Sequence, residues 1–265
     1  MTIAFKKYHG TGNDFILIDD RALTFAATQE QIANLCHRRF GIGADGLILL
    51  RSHARADFEM IYYNSDGRLG SLCGNGARCI TAFAFNLGII TKQARFMAFD
   101  GPHESEVQEM NLNTNHFQIK LKMNDVQAIA PNADSCFMNT GSPHLVLAKD
   151  LIAELDVFTE GRRIRYSKPF AEEGTNVDFI CKTSNGIAMR VYERGVEDET
   201  YSSGTGAVAC ALSADLFGWT QSPCTLSTKG GVLQVDYDKS ELKFTNIWLT
   251  GPAIKTYEGS IDLKP

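Results

Sequence analysis

The sequence lacks the features that mark a chain bound to or exported through a membrane. No apolar run approaches the roughly 18 residues that a membrane-spanning helix needs. The first residues, 1–6, lead directly into a strand pattern, without the charged and then apolar leader of a secreted protein. We therefore expect a cytoplasmic chain with no membrane partner.

Basic clusters and metal-binding cysteine spacings are also missing. The formal net charge is -5, with charges of both signs well mixed, so nucleic acid is not an expected partner and a small polar ligand is. The seven cysteines are odd in number and scattered, with no C-x2-C pair and no histidine at zinc spacing. The sequence thus predicts neither a disulfide framework nor a metal site, and we expect most of the cysteines to be buried.

What the sequence does contain is one pattern that occurs twice. Residues 72–77 (Leu-Cys-Gly-Asn-Gly-Ala) and 202–207 (Ser-Ser-Gly-Thr-Gly-Ala) each place a small nucleophilic side chain, Cys73 or Ser203, before a Gly-x-Gly turn and an apolar helical run. Asn64 precedes Cys73 by nine residues, and Arg194 precedes Ser203 by nine. The 265 residues suffice for two cores of about 120 to 130 residues each. The repeat therefore predicts two similar halves with one chemical group in each.

Short strand patterns alternate with two kinds of helix. β-Branched and aromatic runs predict strands at 15–19, 46–50, 58–63, 117–121 and 189–192. A capping-box pattern begins a surface helix at Thr28. The runs after Gly76 and Gly206 are apolar nearly all round, so each should lie enclosed within its own sheet. This predicts an α/β fold.

The boundary between the halves is inferred from the repeat and from a loop pattern at 111–116, where asparagines precede a new strand. We expect an N-terminal lobe of residues 1–116 and a C-terminal lobe of residues 117–250. A last strand pattern follows Gly251-Pro252, and residues 251–265 are expected to return to the N-terminal lobe.

The repeated turn has a definite chemistry. A Gly-x-Gly turn that feeds a helix presents unpaired backbone N–H groups at the positive end of the helix dipole, which suits a carboxylate or phosphate. The same field lowers the pKa of a thiol at a helix start, so Cys73 is a candidate base or nucleophile. Cys79 and Cys210 lie inside the apolar runs and are expected to be inert.

Other polar residues fit a zwitterionic ligand. Asn64, Asn75 and Asn176 could hold its polar ends without fixing a charge state. Glu193 and Arg194 could bind an ammonium and a carboxylate, although a neighbouring pair of surface charges explains them equally simply. His144 follows a restrained turn and is either a proton relay or a satisfied hydrogen-bonding group.

Seven motifs, in order along essentially the whole chain, resemble diaminopimelate epimerase. They are residues 8–15 (YHGTGNDF), 41–46 (GIGADG), 63–67 (YNSDG), 73–79 (CGNGARC), 141–144 (GSPH), 193–195 (ERG) and 204–207 (GTGA). The resemblance implies two similar α/β lobes, each a mixed β-sheet curled around a central helix, with the active site in the cleft between them.

The resemblance also implies a function: cofactor-independent epimerisation of LL-diaminopimelate to meso-diaminopimelate, in lysine and cell-wall precursor synthesis, by a homodimer. In this family one cysteine, as thiolate, removes the α-proton and a second, as thiol, delivers a proton to the opposite face. By position Cys73 is one of these groups, Ser203 stands in place of the other, and His144 and Glu193 tune the pair.

Substrate contacts carry over from the resemblance in the same way. Backbone N–H groups of four residues at the two helix starts would bind the reacting carboxylate, and five side chains would bind mostly the distal end of the substrate. The first set is Gly74, Asn75, Gly204 and Thr205, and the second is Asn13, Asn64, Asn176, Glu193 and Arg194.

Ser203 is the departure that matters, because a hydroxyl loses its proton far less readily than a thiol. Three explanations are open: an engineered cysteine-to-serine change, a natural divergent member of the family, or a serine that serves with reduced efficiency. The intact GTGA motif after Ser203 favours the engineered change. We expect the activity of this chain to be impaired.

Two other functions compete with the epimerase. One is a related enzyme of the proline racemase-like group, either a dehydratase that uses Cys73 as its single base or a racemase of another amino acid. The other is an amino acid binding protein that has lost its catalysis. The intact helix start at Cys73 speaks against the second.

Overall fold

The computed structural model describes residues 2–70 and 72–263, which form two compact units. The first unit contains the described residues up to Leu121 together with those from Gly251 onward. Its elements are β1 (Thr2–Gly10), β2 (Asn13–Asp19), α1 (Gln29–Cys36), β3 (Gly46–Arg51), β4 (Phe58–Asn64), α2 (Gly74–Asn86), β5 (Gln93–Ala98), β6 (Gly101–Asn111), β7 (His116–Lys122) and the end of the last strand, β16 (Lys243–Asp262).

The sheet of the first unit closes on itself. Strands β1 to β7 pair in sequence order, β7 pairs with β16, and β16 pairs with β1. The β2–β3 and β4–β5 pairs are parallel and the others antiparallel. Helix α2 packs against β1, β2, β3, β4 and β6, so the ring of strands encloses it.

The second unit spans Lys122–Thr250 and includes the first part of β16. Its other elements are β8 (Ile129–Pro131), β9 (Ser135–Asn139), β10 (Pro143–Ala148), α3 (Val157–Arg165), β11 (Asn176–Thr183), β12 (Gly186–Glu193), β13 (Asp198–Thr200), α4 (Gly204–Leu216), β14 (Cys224–Thr228) and β15 (Gly231–Ser240). The sheet order is β8-β9-β10-β11-β12-β14-β15-β16, with β13 pairing β12 off this path. Helix α4 packs against β9, β10, β11, β12, β14 and β15.

The two units repeat one another strand by strand. In the second unit β10–β11 and β12–β14 are the parallel pairs, at the positions that β2–β3 and β4–β5 hold in the first. An amphipathic helix, α1 or α3, connects the strands of the first parallel pair, and a buried helix, α2 or α4, connects those of the second. The prediction of two similar mixed sheets, each curled around a central helix, is confirmed.

The central helices match in length and in both ends. Each has 13 residues, begins after Cys73 or Ser203, and ends before a glycine with positive φ, Gly88 at 70° or Gly218 at 72°. Only glycine adopts that conformation without cost, so these glycines end the helices. Phe83 of α2 is 2% exposed, and removing its ring would cost about 3 to 5 kcal/mol.

Helix α1 explains why β3 has a continuous apolar run. Ile32 and Leu35 of α1 pack on Leu47 and Leu49 of β3, while the opposite face of the sheet covers α2. β3 is therefore buried on both faces. The capping box predicted at Thr28 is present, with its side chain accepting from the backbone N–H of Gln31.

The unit boundary lies after Leu121, five residues beyond the predicted end of the N-terminal lobe at residue 116. The reason is β7, which pairs with β6 and with the end of β16, both of the first unit. Within residues 2–70 and 72–263, no helix is long and apolar enough to cross a membrane.

Candidate active site

Cys73 and Ser203 occupy equivalent positions in the two units. Each is the N-cap residue of a central helix, with φ and ψ of −104° and 117° for Cys73 and −122° and 128° for Ser203. Backbone N–H groups in the first turn of a helix have no partner four residues earlier, so both helix starts offer donors for an anion. The predicted helix starts after Cys73 and Ser203 are therefore both present.

Packing requires glycine in both turns. A Cβ on Gly76 would lie 2.9 Å from Cδ1 of Ile48, and one on Gly206 would lie 2.7 Å from Oδ1 of Asp178. Both distances are shorter than van der Waals contact, and the second is to a buried carboxylate. The Gly-x-Gly pattern at these helix starts thus lets neighbouring side chains approach the helix backbone closely.

The thiol of Cys73 is held by an amide. Its Sγ donates to Oδ1 of Asn13 at 3.5 Å, and Nδ2 of Asn75 donates to the same oxygen at 3.2 Å. Nδ2 of Asn13 donates in turn to Oδ2 of Asp45 at 2.7 Å. Because a carboxylate only accepts, Asp45 fixes which side of the Asn13 amide faces the thiol.

Cys73 differs from the other cysteines in exposure. All seven lie in the described part of the chain and are thiols, and Cys73 is the one that is partly exposed. Burial raises the pKa of Cys79 far above its usual range and raises that of Cys210 strongly, since a buried thiolate loses its hydration. The prediction that Cys79 and Cys210 are buried is borne out by their zero exposure.

Arg78 lies beneath the Cys73 helix start and is completely buried. Its Nη2 donates to Oδ1 of Asn75 at 2.8 Å and to Oγ1 of Thr11 at 3.3 Å, and its Nε donates to the carbonyl of Pro252 at 3.3 Å. These acceptors are all neutral. Burial lowers the pKa of this guanidinium, with the thiols of Cys79 and Cys73 acting in the opposite direction.

The turn that carries Asn13 is strained. Thr11 has φ of 49° and is fully buried, although a β-branched residue rarely adopts positive φ. Its hydroxyl accepts from Arg78, which helps to hold the turn in place. Backbone strain of this kind persists where the surrounding contacts fix it, most often at functional sites.

A group of charged side chains supports Asn13 from behind. Asp14 accepts from Nη2 of Arg38 at 2.7 Å and is paired with the buried Lys7. Arg38 also donates to Asp45, at 2.6 Å. Burial alone would raise the pKa of Asp14, but the hydrogen bonds from Arg38 and Lys7 lower it to about 2.

Ser203 lies at one end of a row of polar groups. Its Oγ accepts from the backbone N–H of Gly206 at 3.2 Å and is 3.4 Å from Oγ1 of Thr205. Oγ1 of Thr205 is 2.9 Å from Nε2 of His144, and Nδ1 of His144 is 2.7 Å from Oδ2 of Asp178. His144 and Asp178 have no exposed surface.

Two more of the predicted residues, Asn176 and Arg194, meet beside the turn before His144. Nδ2 of Asn176 donates to Oγ of Ser142 and to the carbonyl of Pro143, both at 2.9 Å, and Oδ1 accepts from the backbone N–H of Arg194 at 2.9 Å. Nη1 of Arg194 donates to the carbonyl of Glu173 at 2.8 Å. Asn176 thus connects the turn before His144 to the end of β12.

Glu193 and Asn64 occupy equivalent strand ends. Oε1 of Glu193, the last residue of β12, accepts from the hydroxyl of Thr200 at 2.6 Å. Asn64 ends β4, is exposed, and pairs with Gly46 of β3.

Sequence reasoning missed Arg78, Asp178, Asp45 and Thr11 as parts of these half-sites. The available signal for two of them was a charge within an apolar stretch, since Arg78 interrupts 77–85 and Asp178 interrupts 177–181. Within the residues that the structure describes, no group of three or more His, Cys, Asp or Glu side chains could hold a metal ion.

Comparison with solved structures defines the class of fold. A phenazine biosynthesis protein of the PhzF family from Bacillus anthracis superposes with a TM-score of 0.77 at 15% identity, covering 99% of each chain. A hydroxyproline epimerase from Agrobacterium vitis, with bound trans-4-hydroxy-L-proline, has a TM-score of 0.69 at 13% identity, covering 100% of this chain and 93% of that one. At these identities the likeness shows the fold.

Sequence comparison shows the family. The diaminopimelate epimerase family model matches residues 5–129 and 136–256. The diaminopimelate epimerase of Flavobacterium psychrophilum is 45% identical over 258 residues, covering 96% of this chain and 98% of that protein. That of Chlorobaculum tepidum is 42% identical over 266 residues, covering 96% and 99%. The chain belongs to the diaminopimelate epimerase family of isomerases, which confirms the predicted resemblance.

Proposed function

We propose that this chain interconverts LL-diaminopimelate and meso-diaminopimelate with Cys73 and Ser203 as its two acid/base groups, one removing the α-proton and the other delivering a proton to the opposite face. The observation that carries the proposal is the position of Cys73, a partly exposed thiol that caps the buried helix of a family member and is held by Asn13. A cysteine in such a position can exchange a proton with a carbon acid, because a thiol ionises near neutral pH.

The two helix starts would make the α-proton of the substrate easier to remove. Removal of the α-proton leaves a carbanion whose charge spreads onto the adjacent carboxylate. Backbone N–H groups of Gly74, Asn75, Gly204 and Thr205 would donate to that carboxylate and stabilise the charge as it develops. A two-base reaction requires that Cys73 and Ser203 act on opposite faces of the same α-carbon.

The polar side chains around the half-sites would bind the rest of the substrate. Asn13, Asn64 and Asn176 offer amides, and Arg194 and Glu193 offer charges that match a distal carboxylate and ammonium. His144 and Glu193 would adjust the proton affinity of the acid/base groups. Asn176 and Arg194 are joined by a hydrogen bond, so they would act as one unit.

The test is α-hydrogen exchange in deuterium oxide, with LL- and meso-diaminopimelate as substrates. We expect slow exchange by this chain and an increase of about 10² to 10⁴ for Ser203→Cys, the usual contribution of one general acid/base group. Cys73→Ala should abolish the interconversion of LL- and meso-diaminopimelate in both backgrounds, because inversion needs an acid/base group on each face. If Ser203→Cys brings no large increase, position 203 does not carry the second acid/base group.

The same experiment separates the competing functions. Loss of water from hydroxyproline, or exchange on an amino acid without a distal carboxylate, would replace this proposal with a dehydratase or another racemase. Stoichiometric diaminopimelate binding without any exchange, even in Ser203→Cys, would indicate a binding protein.

Two further properties belong to the proposal through family membership. The enzyme would work in the cytoplasm, in lysine biosynthesis, and as a homodimer. Sedimentation equilibrium tests the oligomeric state, and a mass equal to the 29.2 kDa chain would contradict the homodimer.

A further inference from the structure

The second unit contains a continuous row of hydrogen-bonding side chains that ends at Ser203. The links are Ser203 to Thr205 at 3.4 Å, Thr205 to Nε2 of His144 at 2.9 Å, and Nδ1 of His144 to Asp178 at 2.7 Å. A serine activated through a histidine and a carboxylate is a recurring solution to the weak acidity of a hydroxyl. Here a second hydroxyl, that of Thr205, lies between the serine and the histidine.

Asp178 fixes the proton on the inner nitrogen of His144. A carboxylate only accepts hydrogen bonds, so Nδ1 of His144 carries a hydrogen and donates to Oδ2. The other oxygen, Oδ1, is buried and has no hydrogen-bond partner among the described residues. It lies against Gly206 at the start of α4.

The outer nitrogen of His144 accepts. A neutral imidazole carries one N–H, and because Asp178 holds it on Nδ1, Nε2 keeps a lone pair. Both hydrogens of Nδ2 of the neighbouring Asn176 are donated to Ser142 and Pro143. Oγ1 of Thr205 lies 2.9 Å from Nε2, so its hydroxyl donates to that nitrogen.

Ser203 then donates to Thr205. The backbone N–H of Gly206 occupies a lone pair of Ser203, which leaves the hydroxyl proton to point towards Oγ1 of Thr205. This last link is longer than the usual 2.5 to 3.0 Å of an O–H···O bond. Catalytic hydrogen bonds are often long before substrate binds and shorten in the complex. All the donors in the row therefore point from Ser203 towards Asp178.

In the first unit the Cys73 thiol also donates, but its acceptor is an amide oxygen, which does not take up the proton. Asp45 engages Nδ2 of Asn13, so the atom facing Cys73 is Oδ1, an acceptor. Cys73 donates to this acceptor as a thiol. In the resting protein Cys73 is thus arranged to donate a proton, while the row behind Ser203 is arranged to receive one.

We infer that Asp178, His144 and Thr205 form a proton relay that enables Ser203 to act as a base, with Cys73 as the acid, an inference that rests on the proposed epimerase function. As the α-C–H bond breaks, its electron pair stays on carbon and its proton forms a new bond to Oγ of Ser203. The serine proton moves to Oγ1 of Thr205, and the threonine proton moves to Nε2 of His144.

The step balances without any further reactant. His144 becomes an imidazolium held by Asp178, and the Cys73 thiol gives its proton to the opposite face of the carbanion and becomes a thiolate. In the reverse direction the imidazolium returns a proton through Thr205 and Ser203, while the thiolate removes one. Thr205, His144 and Asp178 act through Ser203 as positioning residues.

The matched pair Thr205→Val and Thr205→Ser tests the relay. Valine keeps the shape of threonine without its hydroxyl, whereas serine keeps the hydroxyl. We expect Thr205→Val to lower kcat for α-exchange by about 10² or more, and Thr205→Ser by less than about tenfold. In the Ser203→Cys background the difference in kcat between Thr205→Val and Thr205→Ser should shrink to below about tenfold, because a thiol ionises without a relay. Equal losses for valine and serine, or the same difference in both backgrounds, would overturn the relay.

A second measurement does not depend on turnover. Nitrogen-15 NMR of histidine-labelled protein, with the signal assigned through His144→Gln, should show neutral His144 protonated on Nδ1, and Asp178→Asn should remove that preference. Protonation on Nε2 in the unchanged chain would refute the relay even if exchange occurs. If neither this chain nor Ser203→Cys exchanges the α-hydrogen of diaminopimelate, the proposed function fails. The relay then has no reaction to support, so it is refuted as well, even if His144 is protonated on Nδ1.

Discussion

Asp14→Asn tests how strongly the charged group behind Asn13 supports the first unit. Asp14 is paired with Lys7, whose side chain is only 6% exposed, and accepts two hydrogen bonds from Arg38, at 2.7 and 3.1 Å. Replacing the carboxylate with an amide leaves the ammonium of Lys7 buried without its negative partner. Breaking a buried ion pair in this way costs about 3 to 5 kcal/mol. We expect that loss in the free energy of unfolding at pH 7.

The pH dependence of the free energy of unfolding gives an independent value for the contribution of Asp14. A fall in the pKa of Asp14 from 3.8 to about 2 corresponds to about 2 kcal/mol of stability. Because the folded-state pKa is depressed, this contribution is complete above the unfolded value of 3.8 and is lost as the pH falls towards 2. Asp14→Asn lacks it at every pH.

Urea unfolding at pH 7, 4 and 2.5 measures both effects. The difference in the free energy of unfolding between the unchanged chain and Asp14→Asn should be largest at pH 7 and should narrow by about 1.5 kcal/mol at the lowest pH, where part of the contribution still remains. Asp19→Asn, which removes the exposed pair with Arg21, is the matched control and should cost no more than about 1 kcal/mol. A gap between the unchanged chain and Asp14→Asn that is the same at every pH would refute the reasoning.

Three further predictions concern the helices. Gly206→Ala should destabilise the protein more than Gly76→Ala. The new methyl group would lie 2.7 Å from the fixed carboxylate oxygen of Asp178 in the first variant, but 2.9 Å from the flexible end of Ile48 in the second. Thermal unfolding measures the two losses of stability, and equal losses would contradict the prediction. Iodoacetamide should label Cys73 in the folded protein, whereas Cys79 should react only after unfolding. Peptide mass mapping identifies the labelled cysteine. Labelling of Cys79 in the folded protein would contradict the prediction and mean that the interior opens readily. Thr28→Ala should lower the free energy of unfolding by about 1 kcal/mol through loss of the helix cap, and a smaller effect than that of an exposed Thr114→Ala would contradict the role of the cap.

Most of the fold could be predicted from local pattern. Apolar periodicity and a cap residue locate a helix such as α1, and two nearly all-apolar runs indicate helices enclosed by sheets. The last strand could not be predicted in full, because Gly251-Pro252 indicated a break. β16 instead runs for 20 residues through that dipeptide and passes there from one unit to the other. Which sheet a strand joins depends on long-range pairing that local pattern does not contain.

The site was predictable where a motif carries its own chemistry and less so where chemistry depends on distant contacts. Cys73 and Ser203 were found because a helix start acts on the residue that caps it. Arg78 and Asp178 were missed because their roles depend on Asn75 and His144, which only folding brings near. A buried charge within an apolar run is the signal that would have found both.

The pairing of β16 with β1 also determines the order in which the chain can complete its fold during synthesis. Strand β1 is made before the other strands of both units, but its partner on one side, at residues 254–262, is made after them. Until those residues leave the ribosome, the sheet around α2 has an open edge, and the half that contains Cys73 is incomplete. The half that contains Ser203 requires nothing beyond residue 250. Residues made earlier therefore finish folding later, and the nascent protein exposes an unpaired strand edge for most of its synthesis.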